Sequence, residues 1–166
     1  MFLPKKNLAG FLYLKIHLYL LHLLKNIQMR KINYLVLHCT ATLPTATIKG
    51  ILDYWKKELG WKNPGYHHLI SFDGTIHDLL PIEKVSNGVS GHNNNSIHIS
   101  YVGGIDAKGK AVDTRSAAQI AATIKLLNKY KPMFPNAKIL GHRDFPGVKK
   151  ACPSFNVSEW LKKVGL

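Results

Sequence analysis

Gly141-His-Arg-Asp-Phe-Pro-Gly-Val-Lys-Lys-Ala-Cys-Pro-Ser-Phe-Asn156 is the stretch on which the reading of this chain turns. An apolar run, Ala137 to Leu140, reads as a short strand that delivers His142 at its end, and a Pro/Gly-bearing loop then brings Lys150 and Cys152 back toward it. A histidine and a cysteine that can meet point to a metal. Zinc accepts imidazole nitrogen and thiolate together, but a catalytic zinc site needs a third protein ligand and an open position for water. The candidate lies far upstream, where Tyr34-Leu-Val-Leu-His38 is a second apolar run ending in a histidine. Strands are the elements that carry such distant positions to one sheet edge.

Working outward, Ile32 to His38 reads as a buried strand. Cys39 follows His38 directly, and because strand side chains alternate, a His38 aimed at the site leaves Cys39 pointing into the core. Thr47 can cap a helix running to about Leu59, with Ile48, Ile51, Leu52, Trp55 and Leu59 on one face. Tyr66 to Phe72 and Thr75 to Leu79 read as strands joined by the turn Asp73-Gly74, and Pro81 ends the second. Val85 to Asn95, rich in Asn, Gly and Ser, reads as a loop that lines a groove, with Asn94 and Asn95 as turn formers. Ser96 to Val102 alternates into another strand. A helix is expected from Arg115 to Lys131, preceded by Thr114 and stopped by Pro132, and a last one capped by Asn156 with Glu159 three residues on. Strands interleaved with helices, including one hairpin, make this an α/β chain with a central mixed sheet flanked by helices.

Leu37-His-Cys-Thr-Ala-Thr42, Gly65-Tyr-His67, Asn95-Ser-Ile97, Val102-Gly-Gly104, Gly141-His142 and Lys150-Ala-Cys-Pro-Ser-Phe155 occur in this order. Together they resemble the zinc-dependent N-acetylmuramoyl-L-alanine amidases of type 2, which include phage lysozyme-like amidases and are similar to animal peptidoglycan recognition proteins. The resemblance covers about Lys31 to Leu166. It implies a single α/β domain with Zn2+ at a sheet edge, bound by His38, His142 and Cys152, and hydrolysis of the amide between N-acetylmuramic acid and L-alanine. It also implies catalytic roles for Tyr66 and Lys150, as groups that meet charge developing on the amide oxygen, while Lys149 is expected to be solvated. Other branches carry a glutamate base where this chain has Ser100. That departure favours the Tyr/Lys arrangement. His67 reads as a packing or supporting residue, and His68, His77, His92 and His98 receive no role. The rival reading is a non-catalytic peptidoglycan-binding module; members of that kind lose the cysteine ligand, and Cys152 is retained here.

Length and composition agree with one domain: 166 residues, 46% hydrophobic and 19% charged. The charge is unusual, with 23 Lys plus Arg against 9 Asp plus Glu and a formal net charge of +14. Such an excess attracts polyanions, cell-wall polymers among them. A nucleic-acid partner is not expected, for the chain has no helix-turn-helix cue, RNA-binding sheet signature or basic helix with heptads. Two cysteines alone exclude a disulfide scaffold. Residues 1–28 are a separate apolar extension, interrupted by Lys15, His17 and His22 and without a small-x-small cleavage site. They read as sequence upstream of a natural start at Met29, in preference to a membrane anchor or a signal peptide, with residues 29–166 as the domain. Peptidoglycan or a muropeptide is the expected partner, no membrane partner is expected unless the extension anchors the chain, and a monomer is expected. With Met29 as the start the product is expected to be cytoplasmic as synthesised and to act on the cell wall after release or export, by a route the sequence does not give.

Overall fold

Six residues of Tyr34–Cys39 (β1) form a strand in which everything after Tyr34 is buried. A strand with one wet face would alternate; β1 does not, because it lies inside a mainly parallel sheet covered on both faces. The computed structural model describes residues 30–166, and the expected extension over residues 1–28 lies outside them. Within the compact unit Lys31–Leu166, the further elements are α1 (Ile48–Lys57), β2 (His68–Ile70), β3 (Ile76–Asp78), β4 (Ser96–Tyr101), α2 (Ala117–Met133), β5 (Lys138–Gly141) and α3 (Val157–Val164).

The sheet runs β3-β2-β4-β1-β5. β1 is parallel to β4, from Tyr34↔Ser96 to Cys39↔Tyr101, and parallel to β5, from Tyr34↔Lys138 to Leu37↔Gly141. β2 is parallel to β4 and antiparallel only to its hairpin partner β3. The hairpin turn uses both residues expected of it: Asp73 accepts from the Thr75 N–H and the Ser71 hydroxyl, and Gly74 takes φ +86, where a side chain would be strained. This is the mixed α/β sheet that the sequence implies. Its consequence for function is that β1 and β5 are neighbours running the same way, so the residues leaving their carboxyl ends meet.

Each sheet face has its own core. Leu35, Leu37, Ile97 and Ile99 pack against Leu126, Leu127 and Tyr130 of α2 and Trp160 of α3. On the other face Leu69 and Val102 pack against Ile51 and Trp55 of α1, and Val36 packs against Val89 and Phe145. Gln119 of α2 ties helix to sheet by donating to the carbonyls of Ile70 and Val102.

Three helix boundaries differ from those expected. Thr47 does cap α1, accepting from Gly50 N–H, but the helix ends at Lys57 and the chain reverses at Gly60, so Leu59 leaves the buried stripe and is 41% exposed. α2 starts at Ala117, after Ser116, whose hydroxyl forms a reciprocal cap with the Gln119 side chain. Thr114 is used elsewhere, its hydroxyl accepting from Gly104 N–H. Pro132 does not stop α2, which runs through it to Met133. Proline cannot donate to the carbonyl four residues back, so one ladder bond is missing here, and the helix closes one residue later, with Phe134 N–H donating to Tyr130 O.

His68 links β2, β3 and α2: Nδ1 is 2.6 Å from Asp78 Oδ1 and Nε2 is 2.6 Å from the Tyr130 hydroxyl. Burial holds its pKa below the ordinary 6.5, and the Asp78 carboxylate only partly offsets this. The unfolded chain therefore takes up a proton that the folded chain resists, so this contribution to stability is complete above about pH 6.5 and is lost as pH falls below it. Denaturant midpoints should be lower at about pH 5.5 than at about pH 7.5, and His68→Gln should show a smaller difference. If His68→Gln loses as much stability in acid as the natural chain, the acid sensitivity belongs to other groups.

Candidate metal centre and substrate cleft

His38 stands at the end of β1 on the same face as Val36, and His142 follows the last residue of β5. Beyond Gly141 the chain folds into a short 3-10 turn over His142–Asp144, held by Gly141 N–H donating to Asp144 Oδ2 at 2.7 Å. The loop then returns. Arg143 N–H donates to Cys152 O at 2.8 Å, closing it, and Cys39 N–H donates to Cys152 Sγ at 3.3 Å, aiming the sulfur at β1. Gly141 permits this closure, because a Cβ there would lie 2.7 Å from the Pro153 ring.

The result is a compact set of donors. Cys152 Sγ is 3.6 Å from His38 Nδ1, the rings of His38 and His142 are 4.9 Å apart, and one ligand atom from each of His38, His142 and Cys152 lies within 4.8 Å of the others. Nitrogen and sulfur ligands at about 2.0–2.1 and 2.3 Å from a tetrahedral ion stand about 3.6 Å apart, so the donor set fits a metal ion without rearrangement of this pair. No other such group of His, Cys, Asp and Glu occurs among the described residues.

The electrostatics of the two histidines suit the same use. Burial, helped by His98, His142 and Lys150, holds the His38 pKa well below its ordinary value, and burial together with the Lys150 charge pushes His142 down to about 4. Both imidazoles are neutral at physiological pH, with a lone pair to give. For the thiols the direction is the opposite of what a ligand needs: the hydrogen bond between them holds Cys39 down at about 6 and, with burial, pushes Cys152 up, so Cys39 is the more readily ionised of the pair. Cys39 is buried, as expected, but its cluster holds Cys152 as well as Tyr101 and Phe155, and it borders the cleft instead of pointing wholly away from it.

Tyr66 lies across His38, ring centres 4.8 Å apart, and its hydroxyl donates to Cys39 O at 3.2 Å. Burial, with the two thiols beside it, raises its pKa, so the hydroxyl keeps its proton as a donor. Tyr66, His142, Lys150 and Cys152 border one cleft of about 780 Å³, whose other walls include Trp61 and Asn87. The Val85–Asn95 loop lines it through residues 87–90 rather than through Asn94 and Asn95. Lys149 and Lys150 are both exposed and both reach the cleft, but it is the Lys150 charge that acts on His38 and His142. Ser100 pairs with His38 in register and hydrogen-bonds Tyr66, so a hydroxyl, not a carboxylate, occupies that position.

One histidine without an expected role belongs here. His98 of β4 is fully buried and its Nδ1 is 3.0 Å from His38 Nε2. Val36, not His38, is its direct partner in the ladder, so only the register reveals the diagonal contact. His67 is buried, its Nε2 3.0 Å from Lys84 O, and its Nδ1 accepts from His98 N–H.

Known proteins share both pattern and fold. Residues 28–155 match the N-acetylmuramoyl-L-alanine amidase family. The endolysin of Klebsiella phage KP32 is 35% identical over 82% of this chain and 89% of its own length, and that of Escherichia phage T7 is 34% identical with the same coverage. The structure of the Ph2119 endolysin from the Thermus scotoductus MAT2119 bacteriophage Ph2119 superposes with a TM-score of 0.67 at 27% identity, covering 81% of this chain and 84% of that one. With the match spanning the whole sheet and every donor, the chain belongs to the type 2 N-acetylmuramoyl-L-alanine amidase family.

Proposed function

We propose that this chain is a zinc-dependent cell-wall amidase that hydrolyses the bond between N-acetylmuramic acid and L-alanine in peptidoglycan, with His38, His142 and Cys152 as zinc ligands. The observation that carries the metal part is the donor set itself: two neutral imidazoles and a thiol brought within 4.8 Å, with His142 and Cys152 lining the cleft and His38 buried behind them. A zinc ion held there would lower the pKa of a bound water and polarise the scissile carbonyl, the two requirements of amide hydrolysis near neutral pH.

The chain's own residues supply the rest. The cleft walls orient the substrate so that its amide carbonyl lies over the donor set. Tyr66, kept protonated by burial, turns its hydroxyl from Cys39 O toward an oxygen that gains negative charge. Lys150 adds a positive charge on the same side. The basic surface, +14 over the whole chain, favours encounter with an anionic wall polymer.

Incubation of the purified protein with peptidoglycan should release fragments with free L-alanine amino termini and intact muramic acid, read by mass spectrometry. Zinc analysis should return one ion per chain, a chelator should stop cleavage, and added zinc should restore it. Cleavage at this bond by metal-free protein in excess chelator would overturn the zinc reading, and cleavage at a glycosidic or peptide bond would overturn the amidase reading.

A further inference from the structure

We propose that His98 is a positioning residue: its Nδ1 accepts a hydrogen bond from His38 Nε2–H and so holds His38 in the tautomer whose Nδ1 faces the metal position. This rests on the metal reading above and extends it to a side chain that touches neither substrate nor ion.

The argument is one of protons. An N···N contact of 3.0 Å between two imidazoles needs a single N–H between them. If that proton is on His98, His38 carries its own proton on Nδ1, the atom 3.6 Å from Cys152 Sγ, and has no lone pair there for a metal. If the proton is on His38 Nε2, then Nδ1 is free to ligate and His98 must be the acceptor. One hydrogen bond thus decides whether His38 is a ligand. A ligating histidine characteristically gives its second N–H to an acceptor that fixes ring and tautomer. Here a neutral imidazole takes the place usually filled by a carboxylate or a backbone carbonyl, so the partner contributes orientation without adding negative charge.

The surroundings hold His98 for this task. His98 N–H donates to His67 Nδ1 at 3.0 Å, which leaves His67 protonated on Nε2 and donating to Lys84 O, also at 3.0 Å. The His67 and His98 rings are stacked, 5.9 Å between centres and 10° from parallel. Gly88 closes the other side: any Cβ there would overlap the His98 imidazole, so the loop comes close only because this residue is glycine. The His67 bond thus holds the backbone of His98, while the stacked His67 ring and the close Gly88 backbone hold its imidazole with Nδ1 3.0 Å from His38 Nε2.

Two substitutions separate hydrogen bonding from packing. Asn places a carbonyl oxygen near the position of the imidazole Nδ1 and can accept; Leu fills more of the ring's volume and accepts nothing. Zinc affinity, measured on the full chain by competition with a chromophoric chelator, should fall about 10–100-fold in His98→Leu and stay within severalfold of the natural chain in His98→Asn. Thermal stability should follow packing instead, with Leu at or above Asn. The proposal is overturned if His98→Leu binds zinc as the natural chain does, or if His98→Asn binds it more weakly than His98→Leu. A measurement on the unmutated protein does not depend on either variant folding: nitrogen-15 spectra of the zinc-loaded chain should show His98 Nδ1 unprotonated and His38 Nε2 protonated. A protonated His98 Nδ1 would also overturn it. Failure of the natural chain to take up zinc at all would be the failure of the metal reading, distinct from either result.

Discussion

Cys152→Ala is expected to lose zinc and amidase activity together while still sedimenting with peptidoglycan. Its sulfur is one of three protein donors and lies 3.6 Å from His38 Nδ1, so removing it should weaken metal binding by more than the roughly 10–100-fold that loss of an outer hydrogen bond costs. Cys39 borders the same cleft and its thiol meets that of Cys152, but it packs with Tyr101, Cys152 and Phe155, lies 3.5 Å from the Ser154 hydroxyl, and is not one of the three residues whose ligand atoms gather within 4.8 Å. Cys39→Ala should therefore retain zinc, at some cost in stability from the cavity it leaves. The cleft walls, Trp61 and residues 87–90, are untouched by the Cys152 change, which is why binding should outlast cleavage. Zinc content, release of free amino termini and co-sedimentation are the three readouts. A Cys152→Ala protein that holds zinc and cleaves would remove Cys152 from the ligand set.

What the sequence disclosed and what it hid divide along physical lines. Apolar runs ending in histidine gave β1 and β5 and placed His38 and His142 at one end of the sheet; β1 is the continuous buried run expected of an inner parallel strand, whereas β5 is the outermost strand, with Lys138 exposed. The same covering concealed His98. Ser96 to Tyr101 alternates polar and apolar residues, which reads as one buried and one wet face, yet all six are buried. A polar residue at an inner-strand position had to have a partner, and identifying it required the β1–β4 register, which no local pattern encodes. The end of α2 differs for another reason: the proline rule marks where a ladder bond is lost, and the helix carries that one loss and closes a residue later, with Phe134 N–H donating to Tyr130 O. Lys149 and Lys150 are a third case. Adjacent, like-charged and exposed, they are alike to any composition argument, and the structure distinguishes them by the Lys150 charge bearing on His38 and His142.

Lys150→Ala should retain zinc and lose about 10²–10³ in kcat with little change in KM, the size of effect produced by removing one donor to a developing oxyanion. Zinc retention follows from electrostatics: Lys150 is a cation whose charge is felt by His38 and His142, and taking a positive charge away from a metal site does not weaken the hold on a cation. The loss falls on kcat because the substrate carbonyl is neutral in the ground state and gains charge only during attack, so a cation on the cleft rim meets it strongly only then. The position is set by the neighbouring fold. Lys150 lies two residues before Cys152, whose carbonyl is held by Arg143 N–H and whose sulfur is held by Cys39 N–H, so the backbone that carries the lysine is anchored even though the side chain is exposed. Lys150→Arg keeps the charge and should recover part of the rate. Lys149→Ala should leave kcat within severalfold of the natural value, since that charge does not act on the donor histidines. If Lys150→Ala turns over at the natural rate, or if Lys149→Ala is the slower of the two, stabilisation of the oxyanion falls to Tyr66 and the metal, and Lys150 serves only the basic surface that draws the enzyme to the wall.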